Sequence, residues 1–132
     1  MGQHQSTLVP HLFDPRPFIP SVINNSVVFF LYDTGSKESF LDISLFQQLN
    51  IEGINKVYKT KYMSNGFGQI KTIHYFICDV EVKFHQKTIT SKFTVYSNKQ
   101  CPAVLGIDFI NFNKLSYCPV TKTFKFILET LV

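Results

Sequence analysis

Between Cys78 and Val95 the chain alternates with period two, and this pattern leaves little freedom of fold. Cys78, Val80, Val82 and Phe84 fall on one side, Asp79, Glu81, Lys83 and His85 on the other. After Gln86-Lys87 the alternation resumes, with Ile89, Ser91, Phe93 and Val95 against Thr88, Thr90, Lys92 and Thr94. Successive strand side chains point to opposite faces, so two such runs around a polar turn specify an antiparallel hairpin with one buried face. A hairpin cannot bury that face by itself, so other elements must cover it. Phe, at 14 copies, and the β-branched residues supply strand-compatible apolar surface elsewhere.

The rest of the chain reads as more short strands. Pro15, Pro17 and Pro20 hold their surroundings extended. A first strand is expected over Phe18–Ile23, a turn at Asn24-Asn25, and a second strand over Ser26–Tyr32 that looks buried on both faces. Asp42 is expected to cap a short helix carrying Ile43, Leu45, Phe46 and Leu49. Val57–Met63 and Ile70–Tyr75 are expected as strands flanking Ser64-Asn65-Gly66-Phe67-Gly68-Gln69, a hairpin-tip composition. A strand over Cys101–Leu105, a short helix over Ile107–Asn113 with Asp108 as its cap, and strands near Leu115–Cys118 and Thr123–Leu128 complete the reading. The expected class is mostly β, with eight or nine strands and one or two short helices. Residues 1–15 read as a flexible N-terminal arm and 16–132 as one domain.

Charge and cysteines exclude some functions. The net charge is +4, but the lysines are scattered in sequence, so no nucleic-acid partner is expected. No apolar run approaches the ~18 residues that span a bilayer, and no membrane partner is expected. Three cysteines without a CxxC pair (Cys78, Cys101, Cys118) favour reduced thiols over a disulfide framework. The histidines have no metal-ligand spacing, so neither metal nor cofactor is expected. Met1-Gly2-Gln3-His4-Gln5-Ser6 fits the myristoylation pattern, which Met-Gly starts also match by chance.

Asp33 is the residue that demands an explanation. It ends an apolar strand and is followed by Thr34, Gly35 and Ser36. A carboxylate beside a core must be paired, hydrogen-bonded or protonated. A turn aspartate bonding its own backbone meets that requirement, and so does a catalytic one.

The order of motifs then matters. Hydrophobic-hydrophobic-x-Asp33-Thr34-Gly35-Ser36, a Gly66-Phe67-Gly68 hairpin, and Ala103-Val104-Leu105-Gly106-Ile107-Asp108-Phe109-Ile110 follow one another. This series resembles the retropepsins, the proteases of retroviruses and gypsy-type retrotransposons, and the related domain of cellular DNA-damage-inducible proteins. The resemblance runs from about Pro17 to Phe126. It implies a small closed β-barrel with a flap hairpin and an active site at a homodimer interface. The motif occurs once, so a twofold partner must supply the second carboxylate. Paired carboxylates in aspartic proteases are themselves a standard example of coupled titration.

By that resemblance Asp33 is the catalytic residue, and Thr34, Gly35 and Ser36 support it. Gly66, Phe67 and Gly68 form the flap tip over substrate, and Leu31, Pro102 and Val104 line pockets. The implied activity is an aspartic endopeptidase acting on extended segments of a Gag-Pol-like polyprotein, in the cytoplasm or a virus-like particle. Lys37 and Ile107 depart from the retroviral pattern, which often has an aspartate and an arginine there. Ser36 places a hydroxyl where Ala is usual, and that hydroxyl is expected to bond the dyad and move the active pH window towards acid. Two alternatives stand: a catalytically silent retropepsin-like dimerisation or peptide-binding domain, and a basic nucleic-acid-binding β-domain. The last needs a clustered lysine face with stacking aromatics.

Overall fold

The computed structural model describes residues 15–127 except 86 and 99. The expected arm lies outside the described residues apart from Pro15, as do the myristoylation pattern and the end of the last expected strand.

Strands β1 (Phe18–Ile23) and β2 (Ser26–Tyr32) pair antiparallel around Asn24-Asn25. Both asparagines have positive φ, 49° and 68°, as a two-residue turn matched to strand twist requires. After the Asp33 loop come β3 (Phe40–Asp42) and α1 (Ile43–Gln48). Asp42 caps α1 as expected, accepting the Ser44 and Leu45 N–H groups at 3.1 and 3.4 Å.

Strands β4 (Ile54–Ser64) and β5 (Ile70–Lys83) form the long hairpin. The Ile70–Tyr75 strand and the alternating run that begins at Cys78 are one continuous strand. Then follow β6 (Thr88–Tyr96), β7 (Ala103–Leu105), α2 (Ile107–Phe112), β8 (Leu115–Cys118) and β9 (Thr123–Phe126). The strand at 101–105 is two residues shorter than expected, because Cys101 and Pro102 precede the first ladder pair.

The main sheet runs β1-β2-β7-β3-β6-β5-β4. A further pairing, Val22 with Lys83, joins β1 to β5 and closes six of these strands into a ring. Strand β4 stays outside the ring as an edge, exposed along its whole length. The interior is aromatic: Phe30 stacks on Phe93 with centroids 5.6 Å apart, and Phe84 meets Phe126 edge-on at 5.3 Å. Phe109 of α2 packs on both Phe84 and Phe93. Such contacts bind the β8–β9 end and α2 to the barrel, beyond simple area burial. Strand β2 is not buried on both faces throughout: Val28 and Phe30 are buried in the main core and Leu31 in a smaller cluster, while Val27 and Phe29 are only part-buried.

No helix among the described residues is long and apolar enough to cross a membrane.

Candidate active site

Strands β2 and β7 run parallel, with Leu31 opposite Val104 and Tyr32 opposite Leu105. This pairing sets the two motif segments side by side, because Asp33 follows the first strand and Gly106 the second. The Asp33–Ser39 loop is tied down at three places. Asp33 N–H donates to the Leu105 carbonyl at 3.0 Å, and Ile107 N–H donates to the Ser36 carbonyl at 2.8 Å. At the far end Ser39, 1% exposed, donates its hydroxyl to Asp108 Oδ1 at 2.7 Å and its N–H to Asp108 Oδ2 at 3.2 Å. The Ser39 hydroxyl also accepts the Gly106 N–H at 2.9 Å. Bonds to an ionised carboxylate contribute about 1.5–3 kcal/mol each.

Asp108 meets the capping expectation in part: its Oδ1 accepts the Phe109 N–H at 2.7 Å in the first turn of α2. Gly106 occupies the cap position and offers no side-chain bond. The Asp108 carboxylate reaches across to Ser39, a partner 69 residues away in sequence, which no local pattern reveals.

Gly106 explains why the two motifs belong together. Its φ of −90° and ψ of −176° suit any residue, so glycine is not required for conformation. A Cβ there would lie 2.5 Å from the Glu38 carbonyl oxygen and 2.7 Å from that of Ser36. The loop carrying Asp33 packs its backbone directly on Gly106, where only hydrogen fits.

Asp33 itself is part-buried, while Thr34 and Gly35 are exposed. Its Oδ1 accepts the Gly35 N–H at 2.9 Å, the turn bond that a D-x-G sequence commonly makes. No donor among the described residues reaches its other oxygen. The Ser36 hydroxyl does not support the carboxylate as expected. It donates its one proton to the Glu38 carbonyl at 2.7 Å. Ser36 holds the loop through its main chain instead, donating its N–H to the Asp33 carbonyl at 3.2 Å and accepting from Ile107. With Ile107 in place of an arginine, the main-chain bond and the Ser39–Asp108 pair tie the loop to α2.

Leu31 and Val104 are buried together, with Cys101, under Phe18 and Phe40. Pro102 is exposed at the entrance to β7. Gly66, Phe67 and Gly68 form the tip of the β4–β5 hairpin, with Phe67 91% exposed. Asn65 organises this tip, its Oδ1 accepting the Phe67 and Gln69 N–H groups at 2.9 and 3.1 Å. Gly68 has φ of 79°, whereas Gly66 is not in the left-handed region and has open space around it. The sequence gives both glycines the same standing; the structure requires only Gly68.

A cavity of about 400 Å³ lies between the hairpin base and the barrel, lined by Ile43, Tyr58, Lys59, Tyr75, Phe76 and Tyr96 among others. None of the Asp33 loop lines it. Among the described residues no group of three His, Cys, Asp or Glu side chains could hold a metal.

No protein-family model and no curated protein matches this sequence. Solved structures do match. EIAV protease complexed with the inhibitor HBY-793 superposes with a TM-score of 0.57 at 21% identity, covering 79% of this chain and 93% of that one. The retroviral protease-like domain of Ddi1 from Leishmania major gives 0.61 at 14% identity, covering 84% and 87%. The β ring, the loop after β2 seated on Gly106 and the projecting β4–β5 hairpin, together with these likenesses, establish that the chain has the retropepsin-like fold.

Proposed function

We propose that the chain is one subunit of a homodimeric aspartic endopeptidase, with Asp33 of each subunit forming the catalytic pair. The observation that carries this reading is the Asp33 loop. A carboxylate held by main-chain anchors on both sides, with no donor among the described residues on one oxygen, stands at the exposed end of a buried strand pair. A structural aspartate does not need an exposed Thr-Gly beside it, nor a glycine-seated loop beneath it.

In the proposed reaction a water molecule lies between Asp33 and the partner subunit's Asp33, which share one proton. The unprotonated carboxylate takes a proton from the water as it attacks the scissile carbonyl, and the protonated one donates to the carbonyl oxygen. Collapse of the tetrahedral intermediate returns a proton to the leaving amine, and the pair recovers its shared proton. Thr34 is assigned to bonding across the pair, and Gly35 to offering its carbonyl to the peptide backbone. Gly66-Phe67-Gly68 is assigned to closing over an extended substrate and excluding water. Pro102 is assigned to a pocket wall, and Leu31 and Val104, buried beneath Phe18 and Phe40, to supporting that wall from inside. A polyprotein of the kind that carries such an enzyme is the proposed substrate.

The test is cleavage of a peptide library by the purified chain, with and without a transition-state-mimicking inhibitor of aspartic proteases. Cleavage that the inhibitor blocks and Asp33→Asn abolishes is expected. Inhibitor-insensitive cleavage, or none at any chain concentration, contradicts the proposal.

A further inference from the structure

Lysines that are scattered in sequence are gathered by the fold. Between Glu52 and Asp79 the chain has no acidic residue and four lysines: Lys56, Lys59, Lys61 and Lys71. The whole chain has 13 basic and 9 acidic residues, a net charge of +4. These four lysines equal the entire excess, so the rest of the chain is balanced and the β4–β5 hairpin carries the charge.

Lys56 lies against the barrel, its Nζ 5.5 Å from the Phe46 ring centre and 5.3 Å from that of Phe76. The other three share one face. Phe76 and Cys78 are buried on the barrel side of β5, and Tyr58 pairs with Phe76 on that side. Alternation then places Lys59 (paired with Tyr75), Lys61 (paired with Ile73) and Lys71 (paired with Met63) on the opposite face. All three are exposed, and among the described residues no carboxylate pairs with them. Residues two apart on a strand are about 6.6–6.8 Å apart. Lys71 lies diagonally across from Lys61, at roughly 7–8 Å. Tyr75, part-buried, sits opposite Lys59 on the same face, and both also border the cavity at the hairpin base.

We propose that this outer face of the hairpin binds single-stranded RNA, with Lys59, Lys61 and Lys71 on successive phosphates and Tyr75 as a stacking surface. A repeated array of point charges beside an aromatic ring is what a single strand needs, without sequence readout. An acidic peptide fits less well. It offers the same negative charge but no row of bases to stack on Tyr75, so the aromatic ring beside the lysines favours the nucleic acid. The bound strand follows Lys59, Lys61 and Lys71 along the hairpin, and none of these belongs to the Asp33 loop. The inference is independent of peptidase activity.

The test is fluorescence anisotropy with a labelled 20-nucleotide RNA of mixed sequence, using the full chain carrying Asp33→Asn so that cleavage does not enter. Three phosphate contacts predict a slope of log K against log salt of about −2. Lys59→Gln/Lys61→Gln/Lys71→Gln should weaken binding at least tenfold and flatten the slope. Lys83→Gln/Lys122→Gln/Lys125→Gln removes the same charge from exposed positions elsewhere and should change affinity by less than about threefold. A circular dichroism spectrum matching the parent confirms that each variant is folded. Equal losses in both variants would mean that net charge alone is responsible, and would overturn the proposal. So would absent binding at low salt, or a polyglutamate peptide bound as tightly as the RNA.

Discussion

Gly106→Ala separates a steric account of the two motifs from a conformational one, because the two predict opposite signs. The glycine's φ and ψ are open to alanine, so the change should by itself stabilise by about 0.4–1 kcal/mol through the unfolded chain. The new Cβ, however, would lie 2.5 and 2.7 Å from the Glu38 carbonyl oxygen and carbon, and 2.7 Å from the Ser36 oxygen. Comfortable carbon contacts begin near 3.5 Å, so the loop must retreat by roughly 1 Å. It is held by the Leu105, Ile107 and Asp108 bonds, and cannot retreat freely. Overpacking of this kind costs about 1–3 kcal/mol, and each weakened bond adds about 1. The expected net destabilisation is about 2–4 kcal/mol, which lowers Tm by roughly 8–16 °C for a domain of this size. Thermal unfolding followed by far-UV circular dichroism measures it, at one fixed chain concentration because association shifts Tm. Gly66→Ala is the control, since no atom lies within 4 Å of its added Cβ. A Gly106→Ala chain melting at or above wild type would refute the reasoning.

At the hairpin tip, Gly68→Val forces a β-branched residue to a φ of 79° and should lower kcat/KM more than about tenfold, with Gly66→Val within about threefold. Equal effects in a peptide-cleavage assay would show that the tip conformation is not what matters. Ser36→Ala should leave the pH dependence of kcat/KM where it is, because the hydroxyl is bonded to the Glu38 carbonyl. A profile moved up by about half a unit or more would return that hydroxyl to the catalytic pair. Among the thiols, the Thr121 hydroxyl, helped by the Thr121 and Val120 main chain, holds exposed Cys118 below the usual thiol range, whereas burial pushes Cys78 up. A lowered pKa means more thiolate at a given pH, so iodoacetamide should modify Cys118 first, and Thr121→Val should move its labelling profile to higher pH. Mass spectrometry showing Cys78 or Cys101 modified first would contradict this.

Local patterns made most of the fold legible. The alternation from Cys78 to Val95, the Asn24-Asn25 turn and the Asp42 cap each depend on a few adjacent residues, and each forms as expected. The features missed depend on contacts and rotamers that a local pattern does not show. Asp108 does bond the first turn of α2, but its second role stays hidden in sequence, because only the parallel β2–β7 pairing brings Ser39 within reach. The Ser36 hydroxyl reads as facing the carboxylate because sequence proximity says nothing of which rotamer the loop allows. The lysines of the hairpin look dispersed until antiparallel register places Lys71 diagonally beside Lys61. For the candidate site, the sequence identified Asp33 and its order relative to Gly106, while the steric reason for that pairing lies in backbone packing alone.

The central claim is that two copies of Asp33 make one active site, and subunit mixing tests it most directly. Wild type and Asp33→Asn chains are combined at a constant total concentration, allowed to exchange, and assayed for peptide cleavage. If only a dimer with two Asp33 residues is active, activity falls as the square of the wild-type fraction, so equal parts give about one quarter of full activity. A linear decline, with about half the activity remaining at equal parts, would mean that each chain cleaves by itself and would contradict the account.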